Sequence, residues 1–138
     1  MSKRFDALLF DAGGVFVVPD PLTTGMVLEP FGGTTKLGAL VRCHYAGMAA
    51  IDEATASQAA GSIDQISWIS YRQAYAREAG VPANKIDKAA EALLKVFSAF
   101  LWRFPLHESV AGLWRLHLLG MRIGIVSNAS GQIERTLA

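Results

Sequence analysis

The chain has 138 residues, of which 51% are apolar and 18% are charged, with a net charge of +1 and a mean hydropathy of +0.28. This length suits one domain with its own core, and the dispersed lysines and arginines form no basic stripe of the kind that binds nucleic acid. The single Cys43 excludes an internal disulfide, and we find no signal sequence and no run long enough to span a membrane, so we expect a cytoplasmic protein.

The first predicted element is a short strand that ends in an acidic residue. Residues 7–10 are apolar, as expected of a strand covered on both faces, and Asp11 follows directly. Gly13 and Gly14 then allow positive φ and a close approach of a ligand to the backbone. Ligands bind at the carboxyl ends of strands in open α/β sheets, where Asp11 would present an oxygen nucleophile beside backbone amides. The alternative is a plain turn, in which Asp and Gly are common.

The middle of the chain is predicted to be helical. Residues 19–34 are rich in proline and glycine, which predicts a loop and a hinge. Apolar residues at three- and four-residue spacing then predict four helices. The second helix is followed by Gly80, the third by Pro105 and the fourth by Gly120, which are typical of helix ends. The four helices are predicted at residues 35–52, 64–78, 83–102 and 108–119.

A second β-branched, apolar strand is predicted at residues 121–126, and Ser127 and Asn128 follow it before another helical pattern. The order along the chain is therefore strand, acid, glycine turn, helices, strand, hydroxyl and helix. The second predicted strand is thus followed by a hydroxyl and an amide side chain, as the first is followed by a carboxylate.

This order resembles the haloacid dehalogenase-like (HAD) hydrolase superfamily. The first motif of that family is a hydrophobic strand ending in Asp, and the second is a hydrophobic strand ending in Ser or Thr, often followed by Asn. The resemblance rests on Phe-Asp-Ala-Gly-Gly at residues 10–14 and Val-Ser-Asn at residues 126–128, and it covers essentially the whole chain. It implies a partial Rossmann-like, parallel α/β core at residues 1–20 and 106–138, with an α-helical cap inserted at residues 21–105.

The resemblance also implies a site for phosphoryl transfer. Asp11 would be the nucleophile and would form an aspartyl-phosphate, while one of its oxygens and the backbone carbonyl of Gly13 would hold Mg²⁺. The amides of Gly13 and Gly14 would bind phosphate oxygens. The hydroxyl of Ser127, as a second catalytic group, and Asn128 would hold another phosphate oxygen. The partner would be a small phosphorylated metabolite.

The chain departs from the family at Gly13, where phosphatases usually carry an Asp that acts as general acid and base, worth about a hundredfold to ten-thousandfold in rate. Dehalogenase-like or phosphonatase-like cleavage through Asp11 is therefore an alternative. His44 and Asp20 are candidates to replace the acid, although a partly exposed helix residue and a turn residue are the commoner outcomes. Arg42 could clamp a substrate anion, as an arginine in the early cap does in dehalogenases, although a solvated arginine is commoner.

Two later family motifs are not found. They supply a Lys and one or two acids, whereas the last lysine here is Lys95, in the predicted cap, and the only acid after Ser127 is Glu134. We therefore expect the front part of a truncated enzyme, whose own activity is doubtful, and a catalytically silent binding module is an alternative. The first strand would expose one edge, which invites self-association.

Overall fold

A computed structural model of the chain describes residues 5–56 and 65–127. It is a mixed α/β structure, which confirms the predicted class at that level. Short 3-10 turns lie at Glu29–Phe31, Ala83–Lys85 and Ala99–Leu101. The strands and helices in chain order are β1 (Ala7–Asp11), β2 (Val17–Pro19), α1 (Pro21–Leu28), α2 (Leu37–Ala56), α3 (Gln65–Glu78), α4 (Ile86–Val96), β3 (Trp102–Pro105), α5 (His107–Leu118) and β4 (Arg122–Val126).

The two strands predicted to end in functional residues pair with each other. β1 and β4 are parallel, with Ala7 opposite Arg122 and Asp11 opposite Val126. The two strands that the resemblance assigns to one parallel core are thus hydrogen-bonded neighbours. Within the described residues β1 is not covered on both faces, as its apolar run had predicted, because Leu9 is 74% exposed.

A second sheet was not predicted from the sequence. β2 and β3 pair antiparallel, with Val18 opposite Phe104. The third predicted helix was therefore too long: α4 ends at Val96, and Phe97 adopts an extended backbone with ψ 99°. The ring of Phe97 packs edge-on against Tyr71, with 5.5 Å between ring centroids. The chain leaves the helix because this packing and the pairing with β2 replace further helical hydrogen bonds.

The predicted loop at residues 19–34 is wrong, because most of this segment is helical. Asp20 caps α1, and its carboxylate accepts hydrogen bonds from the N–H and the hydroxyl of Thr23 at 3.2 and 2.6 Å. Pro21 occupies the first position of α1, where proline is favoured because its missing N–H costs nothing there. Thr24 is fully buried, so α1 is part of the packed structure.

The core lies between the helices, and α3 is at its centre. The rings of Tyr71 and Tyr75 are completely buried. The Tyr75 hydroxyl donates to the Leu40 carbonyl at 3.0 Å and lies 3.0 Å from the Thr24 hydroxyl. Buried apolar residues of α2, α3 and α4 complete this core, among them Leu40, Cys43, Ile51, Ala76, Ala89 and Leu93. In the described part of the chain, none of the helices combines the length and the apolar character that a membrane crossing requires.

Candidate active site at the end of the parallel strands

The parallel sheet brings two predicted site residues to one edge. Asp11 is the last residue of β1, its side chain is exposed, and its Oδ1 accepts a hydrogen bond from the Ala12 N–H at 2.7 Å. Because Asp11 lies opposite Val126, Ser127 leaves β4 at the same edge, as the carboxyl ends of parallel strands must. The residues predicted to supply the nucleophile and the hydroxyl therefore lie at one edge of the sheet. Asn128 lies outside the described residues.

The glycines after Asp11 form a compact turn. Gly14 has φ +74°, which glycine adopts without strain, and its N–H donates to the Val17 carbonyl at 2.8 Å. The N–H of Gly13 has no hydrogen-bond partner among the described residues, so of the two predicted phosphate-binding amides it is the one left for a ligand. The Ala12 carbonyl accepts three N–H groups of this turn at 2.9 to 3.3 Å, those of Val15, Phe16 and Val17.

Helix α2 supports the turn with two consecutive side chains. The Tyr45 hydroxyl donates to the Gly14 carbonyl at 3.1 Å. The His44 ring is 1% exposed, and its Nδ1 lies 2.8 Å from the Tyr71 hydroxyl. Burial lowers the pKa of His44 to about 4, so the ring is neutral at neutral pH. The expectation of a partly exposed helix residue is wrong for His44, because the face of α2 that carries it packs against the turn and α3.

The place of the missing general acid is next to an indole ring. A Cβ atom on Gly13 would lie 3.5 Å from Cζ3 of Trp102, which is an ordinary contact distance. The same indole packs edge-on against His44, with 5.1 Å between ring centroids. A side chain at position 13 would therefore lie against Trp102, and the position accepts a Cβ atom.

The two other candidate residues have different surroundings. Arg42 is exposed on α2, one turn before Tyr45, which places it on the helix face next to the glycine turn. Asp20 forms an ion pair with Arg103, with 3.0 Å between Oδ2 and Nη2. Burial acts to raise the pKa of Asp20, but hydrogen bonds from Thr23 and Arg103 outweigh it and lower that pKa. Asp20 is therefore an ionised helix cap and is poorly suited to donate a proton.

The metal donors are chemically suitable but few. The Asp11 carboxylate and the Gly13 carbonyl are hard oxygen donors of the kind that Mg²⁺ prefers. No group of three or more His, Cys, Asp or Glu side chains that could hold a metal occurs in residues 5–56 and 65–127. Glu134 lies outside the described residues. The described chain thus offers part of a Mg²⁺ site, and water or further ligands would have to complete it.

The sequence did not predict the side chains that pack against the glycine turn. Tyr45 and Trp102 contact the glycine turn from positions far along the chain, and no local pattern indicates such a contact. Trp68 packs against the core and also lines a cavity, together with Trp102. Trp114 is 62% exposed. The spacing of apolar residues predicts which face of a helix is buried, but it does not predict which residues that face contacts.

Comparison of the chain with protein-family models yields no match, and comparisons with curated proteins and with solved structures yield none either.

Proposed function

We propose that this chain acts as a HAD-like hydrolase in which Asp11 takes a phosphoryl group from a small phosphorylated metabolite. The observation that carries the proposal is the register of the parallel sheet, which opposes Asp11 to Val126 and brings Ser127 to the same edge. In this proposal residues 1–20 and 106–138 belong to a Rossmann-like core, and residues 21–105 are a helical cap.

The proposed reaction has two steps. An oxygen of Asp11 attacks phosphorus, the bond to the leaving oxygen breaks, and that oxygen takes a proton from solvent; water then hydrolyses the aspartyl-phosphate and releases phosphate. The Gly13 N–H and the Ser127 hydroxyl would donate hydrogen bonds to the phosphoryl oxygens, and Asn128 would add another. Mg²⁺, held in part by Asp11 and the Gly13 carbonyl, would neutralise charge when the two anions meet.

The glycine at position 13 favours a second candidate chemistry. With Gly13 in the place of an acid, departure of an alkoxide is unassisted, whereas a halide leaves without a proton. Attack of Asp11 on a carbon–halogen bond, or cleavage of a carbon–phosphorus bond through the same residue, therefore remains the alternative activity. A binding module without catalysis is the alternative from another class.

The test compares two aspartates of the same segment in the full chain, assayed with Mg²⁺ on p-nitrophenyl phosphate, whose leaving group needs no proton. We expect Asp11→Asn to abolish turnover and the trapping of a beryllium fluoride adduct. Asp6, exposed before β1, is the matched control, and Asp6→Asn should leave both unchanged. Retained turnover in Asp11→Asn would remove the covalent mechanism.

Two further substrates separate the alternatives. Halide release from 2-chloropropionate that depends on Asp11, without phosphate release, would identify dehalogenation. Phosphate release from a phosphonate that depends on Asp11 would identify carbon–phosphorus cleavage. Failure of every substrate with the unaltered chain would favour the binding module.

A further inference from the structure

A cavity of about 550 Å³ lies between α3, the end of α4 and the start of β3. Its walls are mainly apolar and include Trp68, Leu94, Phe97 and Trp102. Its volume falls within the range of about 300 to 1,000 Å³ that is typical of small-molecule sites. We call it the Arg72 cavity, after the one charged side chain among the residues that line it.

Arg72 is unusual among the arginines that the structure describes. It is 8% exposed, and its guanidinium makes no hydrogen bond or ion pair with any acceptor among the described residues. By contrast, Arg103 pairs with Asp20, and Arg42 and Arg77 are exposed to solvent. Burial lowers the pKa of Arg72, as expected of a cation with no anion beside it, although arginine stays charged at neutral pH.

Packing alone does not account for this arginine. A buried cation without a partner is costly, and a Met or Leu would fill the same space on α3 without that cost. A long side chain that served only to cover apolar surface would place its charged head in water. Arg72 instead lines the cavity, where its N–H donors have no acceptor from the described chain. The missing acceptor is therefore expected on a ligand.

The surroundings limit the class of that ligand. A guanidinium binds a carboxylate through two parallel hydrogen bonds. The indole side chains of Trp68 and Trp102, which line the cavity, suit an aromatic or branched apolar body. A phosphate dianion would lose more hydration than a carboxylate on entering walls that are mostly apolar. We infer that the Arg72 cavity binds a small apolar organic acid, with its carboxylate on Arg72 and its body between the indoles. This inference does not depend on chemistry at Asp11, which does not line the cavity.

The first experiment uses the full, unaltered chain and two ligands of nearly the same shape, one an anion and the other neutral. Calorimetry with phenylacetate and phenylacetamide should show the acid binding at least about tenfold more tightly, because the amide forfeits charge-assisted hydrogen bonds. Equal affinities, or no saturable binding of phenylacetate at millimolar concentration, would overturn the inference. Tighter binding of inorganic phosphate than of phenylacetate would also overturn it, since a plain anion site needs no apolar walls.

The second experiment assigns the site to Arg72. Arg72→Met should abolish the preference for the acid, and it should fold because it removes a buried charge that has no partner in residues 5–56 and 65–127. Arg77→Met, an exposed arginine on the same helix, is the matched control and should keep the preference. An acid preference that survives Arg72→Met would place the anion elsewhere and overturn the inference. If Arg72→Met does not fold, Arg72→Lys is the deciding variant. Lysine cannot form the two parallel hydrogen bonds, so the affinity for phenylacetate should fall while the affinity for phenylacetamide stays unchanged.

The indoles provide an independent readout. Trp68 and Trp102 line the cavity, whereas Trp114 is 62% exposed on α5. In a Trp114→Phe variant, phenylacetate should change the fluorescence of the remaining tryptophans with the affinity found by calorimetry. A saturable calorimetric signal with unchanged fluorescence would show that the acid binds away from these walls, against the inference.

Discussion

The imidazole of His44 occupies the space that a side chain on Gly14 would need. A Cβ atom at position 14 would lie 2.8 Å from His44 Nε2, closer than real Cβ contacts allow. Gly14 also has φ +74°. Glycine is thus required at this position twice, by the backbone conformation and by the neighbouring ring, and the turn after Asp11 depends on both.

Gly14→Ala should therefore destabilise the protein more than strain at positive φ alone. Gly80 is the matched control, because it has φ +86° and no atom within 4 Å of its Cβ position. Each substitution pays about 1–2 kcal/mol for the left-handed conformation, and the contact with His44 adds about 1–3 kcal/mol at position 14 only. Urea unfolding of both variants measures the difference. Equal losses would mean that His44 moves aside freely.

Acid should destabilise the fold through His44. Its pKa is about 4 in the folded state and about 6.5 when unfolded, so the unfolded chain binds the proton more readily. The stability is complete above pH 6.5 and is lost as the pH falls from 6.5 towards 4, by about 3 kcal/mol in all. Asp20, whose lowered pKa lies below 3.8, contributes stability that is lost only in stronger acid.

Urea unfolding across this pH range tests the assignment. His44→Gln should remove most of the loss between pH 6.5 and 4, whereas His117→Gln, at an exposed position on α5, should leave it unchanged. If the free energy of unfolding of His44→Gln still falls between pH 6.5 and 4, another group takes up the proton.

If the proposed phosphatase chemistry holds, Gly13→Asp should supply the missing acid. The position accepts a Cβ atom 3.5 Å from Trp102, so the variant should fold. General acid help should raise the rate on an alkyl phosphate by up to about a hundredfold, and much less on p-nitrophenyl phosphate, whose leaving group needs no proton. Gly13→Ala, which adds bulk without a proton, is the control. An equal effect on both substrates would contradict a role in proton transfer.

The parallel sheet should cause self-association. Within the described residues β1 pairs with β4 alone, and Leu9 and Val126 are 74% and 58% exposed. An uncovered apolar edge strand pairs readily with another chain, and a lysine on it prevents this. Light scattering should therefore show oligomers that Leu9→Lys reduces, while Leu22→Lys, at a 65% exposed position on α1, does not. A stable monomer at high micromolar concentration with cooperative unfolding would contradict this.

Mg²⁺ should bind weakly to the chain by itself. The Asp11 carboxylate and the Gly13 carbonyl leave most of an octahedral shell to water, so calorimetry should show no affinity tighter than roughly millimolar. Asp11→Asn should remove whatever binding is seen. A micromolar site would contradict the expectation, and Glu134→Gln would then test whether that residue is the further ligand.

Several elements could be predicted from the sequence because their signals are local. The apolar run before Asp11 predicted β1, and the run before Ser127 predicted β4, each to within one residue of its observed end or start. The periodic helices α2, α3 and α5 were also found. The observed pairing of β1 with β4 agrees with the parallel core that the family resemblance implied, and it places Asp11 and Ser127 at one edge. At residues 19–34 the proline and glycine content predicts a loop, whereas Asp20 and Pro21 begin a helix there.

Local sequence patterns therefore locate the strands, most helices and the polar residues that follow the strands, because backbone periodicity and turn chemistry act over a few residues. The pairing of β2 with β3, the burial of His44 against Gly14, and the position of Arg72 in a cavity with no partner among the described residues emerge only in the folded structure. These properties depend on which distant segments exclude water from a group and which of them offer it a hydrogen-bond partner. The burial of a group and its hydrogen-bond partners are determined when distant segments pack together, so a local sequence pattern does not predict them.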